Sequence, residues 1–140
     1  MRGGRAMPLV YHSPLPWAIV KFDISSLTPV LPKLGQAYAD RGMAYCNEGK
    51  WDNAISDFTG AIRLNPGIAG VFCNRGSANS KKGEINQASA DFTEAIRLDP
   101  KLALAYSSRA SAYNKKGKKS KAEADFAEAV RLGYPKDKAK

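Results

Sequence analysis

The sequence predicts an all-α fold, an array of helical hairpins with six antiparallel helices. Three phenylalanines, Phe58, Phe92 and Phe126, stand 34 residues apart, and the residues around them repeat with them. On this period, nine positions carry the same residue in all three repeats. A period of this length is typical of a helical solenoid, in which each repeat packs only on its neighbours. The nine columns are Arg41/Arg75/Arg109, Ala44/Ala78/Ala112, Gly49/Gly83/Gly117, Ala54/Ala88/Ala122, Asp57/Asp91/Asp125, Phe58/Phe92/Phe126, Ala61/Ala95/Ala129, Arg63/Arg97/Arg131 and Leu64/Leu98/Leu132.

Each repeat is predicted to fold into two helices separated by a glycine. In the first repeat Tyr38, Gly42 and Tyr45 share one helical face, and after Gly49 the alanines around Phe58 share another. This spacing is helical in both halves of the repeat. The sequence therefore predicts one helical hairpin per repeat.

Prolines mark where the second helices end. An Asn-Pro pair at 65–66 and an Asp-Pro pair at 99–100 follow the second helices of the first two repeats. Proline cannot continue a helix, and it biases the residue before it away from helical backbone angles. The third repeat ends differently, with Gly133 and then Pro135.

Two sets of columns predict how the helices of a hairpin pack. Small residues on the first helix, Gly42, Gly76 and Ala110, allow close approach, and the phenylalanines of the second helix fill the remaining space. The Arg and Asp columns place one charge on each helix of every hairpin. They predict an ion pair between the two helices that fixes their packing, rather than an acid/base pair for catalysis.

Residues 1–34 do not share the period and are predicted to form an irregular or disordered Pro-rich leader. Only residues 32–34, Pro-Lys-Leu, echo the repeats, since residues 100–102 carry the same three residues in the same register. Met7 is an alternative start. Two interpretations stay open, disorder or an irregular cap over the first helix made by Trp17, Ile19, Val20 and Phe22.

The composition is that of one soluble globular domain, with 44% hydrophobic and 25% charged residues. Most of the net charge of +9 lies in the third repeat and the basic tail, residues 137–140. No run approaches the roughly 18 apolar residues that a membrane span needs. Prolines at 8, 14 and 16 interrupt the stretch after the N-terminal arginines, which disfavours export through a signal peptide.

The cysteines and the single histidine predict no cofactor, metal site or catalytic group. Cys46 and Cys73 are expected to lie about 10 Å apart along the helix axes, which exceeds disulfide reach. Free thiols fit a reducing, cytoplasmic location. His12 lies in the leader, and the sequence has neither a nucleophile elbow nor a phosphate loop. We therefore expect a protein that is not an enzyme.

The repeated positions resemble a known family. The first repeat reads aromatic, Gly, Tyr, Ala, aromatic, Ala, Pro at Tyr38, Gly42, Tyr45, Ala54, Phe58, Ala61 and Pro66. The second repeat has Asn79 in place of the second Tyr, and the third ends on Tyr134 in place of Pro. This pattern resembles the tetratricopeptide repeat, which implies a right-handed solenoid of three repeats at 35–68, 69–102 and 103–136.

The resemblance also implies a non-catalytic scaffold that binds a peptide or a partner helix in the concave groove of the array, which the first helices line. Carried over to this sequence, the groove positions are mostly small and polar. They are Gln36, Ala39, Asp40, Met43, Cys46, Asn47, Gly70, Cys73, Asn74, Ser77, Ser80, Lys81, Leu104, Ser107, Ser108, Ser111, Asn114 and Lys115.

One subgroup of the family holds the acidic C-termini of heat-shock chaperones in a carboxylate clamp made of Lys, Asn and Arg side chains. The corresponding positions here are Ala39, Met43, Asn74, Leu104 and Ser108, of which only Asn74 matches. The resemblance therefore does not extend to this clamp.

Lysines accumulate at the turns of the second and third repeats. Stacking of the repeats is expected to merge them into a basic edge that attracts RNA or an acidic or anionic surface. No aromatic residue interleaves with these lysines in the sequence, which favours a solvated edge over a nucleic-acid site. The edge comprises Lys81, Lys82, Lys115, Lys116, Lys118, Lys119 and Lys121.

The end of the array suggests a further alternative. After Leu132 the chain offers no capping helix, so Val130, Leu132 and Tyr134 are expected to be partly exposed and available for self-association. On this alternative the chain is a truncated fragment of a longer array.

Overall fold

Short helices in antiparallel pairs make up the part of the protein that the structure, a computed structural model, describes, residues 27–138. The six α-helices are α1 (Val30–Asn47), α2 (Trp51–Leu64), α3 (Ala69–Lys82), α4 (Ile85–Leu98), α5 (Ala103–Lys115) and α6 (Lys119–Arg131). A 3₁₀ turn, Lys136–Lys138, follows them. The described residues contain no strand, as the sequence predicted.

Glycines with positive φ end the first helix of each hairpin. Gly49, Gly83 and Gly117 have φ of 72°, 93° and 71°, and no atom lies within 4 Å of a Cβ built on any of them. Glycine recurs at this position of every repeat because of its backbone conformation, since left-handed backbone angles cost other residues free energy. The second helices α2 and α4 end at Leu64 and Leu98, before the two prolines.

The first helix begins earlier than the period predicts. α1 begins at Val30, so the last residues of the predicted leader are helical, including Pro32. Proline is tolerated there because the first turn of a helix has no partner for its backbone N–H groups. Pro100, in the same register, lies in a turn before α5. The proposed cap residues 17–22, Met7 and His12 lie outside the described residues.

Close approach at glycine holds the hairpins together, as the sequence predicted. A Cβ built on Gly42 would lie 2.7 Å from Cε1 of Phe58, and one built on Gly76 would lie 2.8 Å from Cε1 of Phe92. These two rings are 0% and 1% exposed. Phe126, in the third repeat, is partly buried.

Each buried phenylalanine belongs to a core that spans two repeats. The core around Phe58 includes Val71 and Ala78 of α3, and the core around Phe92 includes Ala105 and Ala112 of α5. α2 packs on α3, α4 packs on α5, and the two first helices α3 and α5 also contact each other. The phenylalanines therefore join neighbouring repeats, and the first helices form a continuous layer beside the second helices.

Candidate functional site

Paired charges fix the angle between the helices of every hairpin. Arg41 donates to both carboxylate oxygens of Asp57, with N–O distances of 2.6 and 2.8 Å. The corresponding pairs of the second and third repeats, Arg75–Asp91 and Arg109–Asp125, are bidentate as well. The hydrogen bonds to these carboxylates raise the pKa of Arg41 and that of Arg109. The predicted inter-helix ion pairs are confirmed.

Two of these arginines also bridge to the preceding repeat. Arg75 donates through Nη1 to Oγ1 of Thr59, at 3.1 Å, and Arg109 donates in the same way to Thr93, at 3.2 Å. These bonds are not apparent from the positions that are identical in all three repeats. Ala127 occupies the position of Thr59 and Thr93 in the third repeat, so a threonine occurs at this position in only two of the three repeats.

The predicted groove residues lie on the first helices of the three hairpins, α1, α3 and α5. Lys115 at the end of α5 reaches Oγ of Ser80 on α3, at 3.5 Å. This contact brings together polar residues from successive first helices.

Solvent exposure divides the predicted groove residues into two sets. Ala39, Cys73 and Ser107 are 6%, 2% and 5% exposed, so they pack between helices and present almost no surface to a ligand. The others keep exposed or partly exposed side chains. They are Gln36, Asp40, Met43, Cys46, Asn47, Gly70, Asn74, Ser77, Ser80, Lys81, Leu104, Ser108, Ser111, Asn114 and Lys115.

Serine hydroxyls on two of the first helices are already oriented by the backbone. Ser77 donates to the carbonyl of Cys73, at 3.0 Å, and Ser111 donates to that of Ser107, at 3.2 Å. A hydroxyl has one hydrogen to donate and two lone pairs to accept with. Both serines are exposed and present these lone pairs to an N–H donor.

Apolar side chains replace an asparagine and a lysine at two of the clamp positions. Met43 on α1 is 47% exposed and Leu104 on α5 is 49% exposed. On α1, Asp40 accepts a hydrogen bond from Gln36, at 2.8 Å. This surface therefore offers apolar contact and one carboxylate where a carboxylate clamp needs cations.

The lysines of the predicted basic edge differ in their surroundings. Lys82 pairs with Asp52 of the preceding repeat, with an Nζ–Oδ1 distance of 2.7 Å, and the hydrogen bond to Asp52 raises its pKa. Lys121 lies over the ring of Tyr113, at 5.8 Å from the ring centre. Although no aromatic residue interleaves with the lysines in the sequence, Tyr113 on α5 meets Lys121 on α6 across the turn.

A cavity of about 560 Å³ lies against the first hairpin, away from the predicted groove. Leu34, Tyr38 and Arg41 of α1 line it together with residues of α2. The Arg41 side chain is 59% exposed, against 22% for Arg75, which the preceding repeat covers. The face of α1 that carries Arg41 therefore corresponds to the face of α3 that carries Arg75, which the first repeat covers.

The cysteines are free thiols, as predicted. Cys46 is partly buried, and Cys73 is buried between helices. Burial raises the pKa of Cys73 to about 11, so this thiol stays protonated and unreactive at neutral pH. Among residues 27–138 no group of His, Cys, Asp and Glu has an arrangement that would hold a metal ion. None of the helices described there is long and apolar enough to cross a membrane.

Family comparisons match most of the repeat region. Sequence models described as "Tetratricopeptide repeat" match residues 35–68 and 103–132, and one described as "TPR repeat" matches residues 78–117. No curated protein matches the chain.

Solved structures share the architecture closely. The Arabidopsis OM64 TPR domain superposes with a TM-score of 0.76 at 29% identity, over 78% of this chain and 90% of that one. The second TPR of Spaghetti (RPAP3), bound to the HSP90 peptide SRMEEVD, gives 0.71 at 31% identity, over 72% and 94%. The second TPR domain of human RPAP3, in complex with the HSP70 peptide SGPTIEEVD, gives 0.72 at 28% identity, over 80% and 91%.

Proposed function

The chain belongs to the tetratricopeptide repeat family, and from this premise we propose that it is a scaffold that binds a peptide or a partner helix along its first helices. The surface in question is the exposed set of groove residues on α1, α3 and α5, called the groove below. Two structural neighbours hold peptides, at 31% and 28% identity to this chain. Their architecture supports the same kind of function here.

The observation that carries the proposal is the row of small polar side chains on the stacked first helices. Ser77 and Ser111 present oriented lone pairs, and Asn74 and Asn114 each offer an amide donor and acceptor. An extended peptide has backbone N–H and C=O groups that need such partners. Small side chains also leave room for the side chains of the bound segment.

The chemistry of the groove favours a ligand with apolar side chains over an acidic C-terminus. Met43 and Leu104 are each about half exposed and offer apolar contact. At the clamp positions an acidic tail such as that of SRMEEVD would find Met43 and Leu104 in place of asparagine and lysine. Asp40 lies three residues before Met43 on α1, although Lys81 and Lys115 lie elsewhere in the groove. Like charges at close range disfavour association. We therefore propose a partner segment that carries apolar anchors between backbone hydrogen bonds.

A peptide selection tests this proposal directly. Peptides selected from a random library on the wild-type protein are measured by calorimetry against Ser77→Arg, which places a long cation in the groove. Asn53→Arg adds the same side chain at an exposed position of α2, and serves as the matched control. We expect Ser77→Arg to weaken binding at least about tenfold, a loss of about 1.4 kcal/mol, and Asn53→Arg to leave it unchanged.

Salt dependence separates groove binding from attraction to the lysines. Binding through the groove should vary little between 50 and 300 mM salt, on the order of twofold, because few ion pairs form. Binding that weakens steeply with salt, and that survives Ser77→Arg, would refute the proposal in favour of the basic edge. The edge itself stays a prediction, because Lys82 is already paired and the other lysines show no arrangement specific to a nucleic acid.

A further inference from the structure

The second repeat lacks an aromatic ring that the other two repeats have. In the first repeat the guanidinium of Arg41 lies 5.9 Å from the ring centre of Tyr45, and in the third that of Arg109 lies 5.6 Å from that of Tyr113. Asn79 occupies the corresponding position of the second repeat. The guanidinium of Arg75 therefore has one aromatic neighbour, Phe72, where the other two arginines each have two.

A cavity of about 450 Å³ adjoins this position. It lies between α2 and α4, and its lining is mixed: Ile55, Thr59, Asn79, Gln87 and Ala90, the ion pairs Lys82–Asp52 and Arg75–Asp91, and Glu84. Ligand sites in proteins have volumes of roughly 300–1,000 Å³, so the space suffices for a single aromatic side chain. This cavity is lined largely by second helices, so it is separate from the groove.

Asn79 gives the cavity a specific polar group. Its side chain is largely buried, at 7% exposure for the residue, and its Nδ2 donates to Oδ2 of Asp91, at 3.1 Å. Among the described residues no donor reaches its Oδ1. The amide oxygen is therefore available to accept a hydrogen bond from a ligand that occupies the cavity.

The walls of the cavity suit an aromatic ring with a hydroxyl group. Arg75 supplies a cation for the face of a ring, as the arginines of the other repeats do for their tyrosines. Ile55 supplies apolar contact, and Asn79 supplies the acceptor. The geometry points to the phenol side chain of a tyrosine from a partner protein as the occupant. We propose that this cavity is a second binding site, which takes from a partner the ring that the second repeat lacks.

The test uses p-cresol, the side-chain analogue of tyrosine, with ¹⁵N NMR on the full chain. We expect saturable shifts at residues that line the cavity, with a Kd on the order of 1–10 mM for a ligand of this size. Toluene has no hydroxyl and should bind at least about fivefold more weakly. Asn79→Tyr supplies the missing ring from within and should reduce p-cresol binding at least about tenfold.

A reciprocal variant keeps the test decisive if Asn79→Tyr does not fold. Tyr113→Asn removes the ring of the third repeat and should create a second saturable site for p-cresol, at residues between α4 and α6. No saturable shift in the wild type, equal binding by Asn79→Tyr, or equal affinity for toluene would each overturn the assignment. These outcomes do not depend on peptide binding in the groove.

Discussion

Replacing Gly76 by alanine puts a methyl group between α3 and α4, against Phe92 and Asp91 of α4. The new Cβ would lie 2.8 Å from Cε1 and 3.0 Å from Cδ1 of Phe92, and 3.1 Å from Cβ of Asp91. Carbon atoms in contact are normally about 3.5–4.0 Å apart, so the ring must move. Phe92 is 1% exposed and packs against alanines of α4 and α5, which leaves little space for that movement.

The magnitude follows from a comparison with Gly70 on the same helix. A Cβ added at Gly70 meets nothing within 4 Å. Gly76→Ala, in the interior of α3, gains helix propensity, up to about 1 kcal/mol, and loses about 1–3 kcal/mol to overpacking. Gly70→Ala, in the first turn of α3, gains less propensity and meets no atom. We therefore expect Gly76→Ala to be less stable than Gly70→Ala by about 1–2 kcal/mol. Ala110 is accommodated in the third repeat, where Phe126 is half-buried.

Urea unfolding followed by far-UV circular dichroism measures this difference. The midpoint of Gly76→Ala should fall below that of the wild type, while that of Gly70→Ala should equal or exceed it. A loss of 1 kcal/mol corresponds to a fall in Tm of about 4–8 °C for a domain of this size. If Gly76→Ala were as stable as Gly70→Ala, close packing against a phenylalanine ring would not explain why Gly42 and Gly76 are glycines.

Four further predictions address the ion pairs, the thiols and the peptide. Arg75→Met should lower the free energy of unfolding by about 2–3 kcal/mol, because Asp91 loses its charged partner, and should leave peptide affinity unchanged when both are measured. At pH 8, Cys46 should react with a thiol reagent well before Cys73, and simultaneous reaction would contradict the burial of Cys73. The pKa of the Cys73 thiol is about 11 in the folded state, against an ordinary 9.0. The protonated thiol therefore stabilises the fold fully below pH 9, and this stabilisation is lost as the pH rises towards 11. Urea unfolding midpoints measured across this pH range should fall accordingly. SRMEEVD should show no saturable binding by calorimetry at micromolar concentrations, and micromolar binding lost in Asn74→Ala would restore the clamp interpretation.

Most of the fold could be predicted from the period alone. Columns identical in all three repeats, such as Arg41/Arg75/Arg109 and Asp57/Asp91/Asp125, report contacts within a hairpin, because every hairpin makes them. Some contacts between repeats leave a weaker trace. Thr59 and Thr93 meet the arginine of the following repeat, and Ala127 takes their place in the third.

The start of α1 escaped prediction for a local reason. Pro32 suggested irregular structure, although the first turn of a helix accepts proline without losing a hydrogen bond. Sequence register also could not separate exposed groove positions from buried ones. Ala39, Cys73 and Ser107 share a helix with exposed neighbours and are buried only because adjacent helices cover them.

The cavity beside Asn79 was visible in the sequence only as a departure from the pattern. Asn79 stands where the other repeats have tyrosine, but the sequence does not show whether neighbouring side chains fill the space of the missing ring. Only the arrangement of α2, α3 and α4 shows that the space remains open and that the amide turns to Asp91. Departures from the period therefore located the site, and packing determined what the site contains.

Binding of the partner by the first helices can be mapped by amide chemical shifts, with a selected peptide that contains no tyrosine and so cannot use the cavity beside Asn79. We expect the largest shifts on exposed residues of α1, α3 and α5, including Ser77 and Ser111. Shifts confined to α2, α4 and α6, or to the lysine-rich turns, would contradict binding by the first helices.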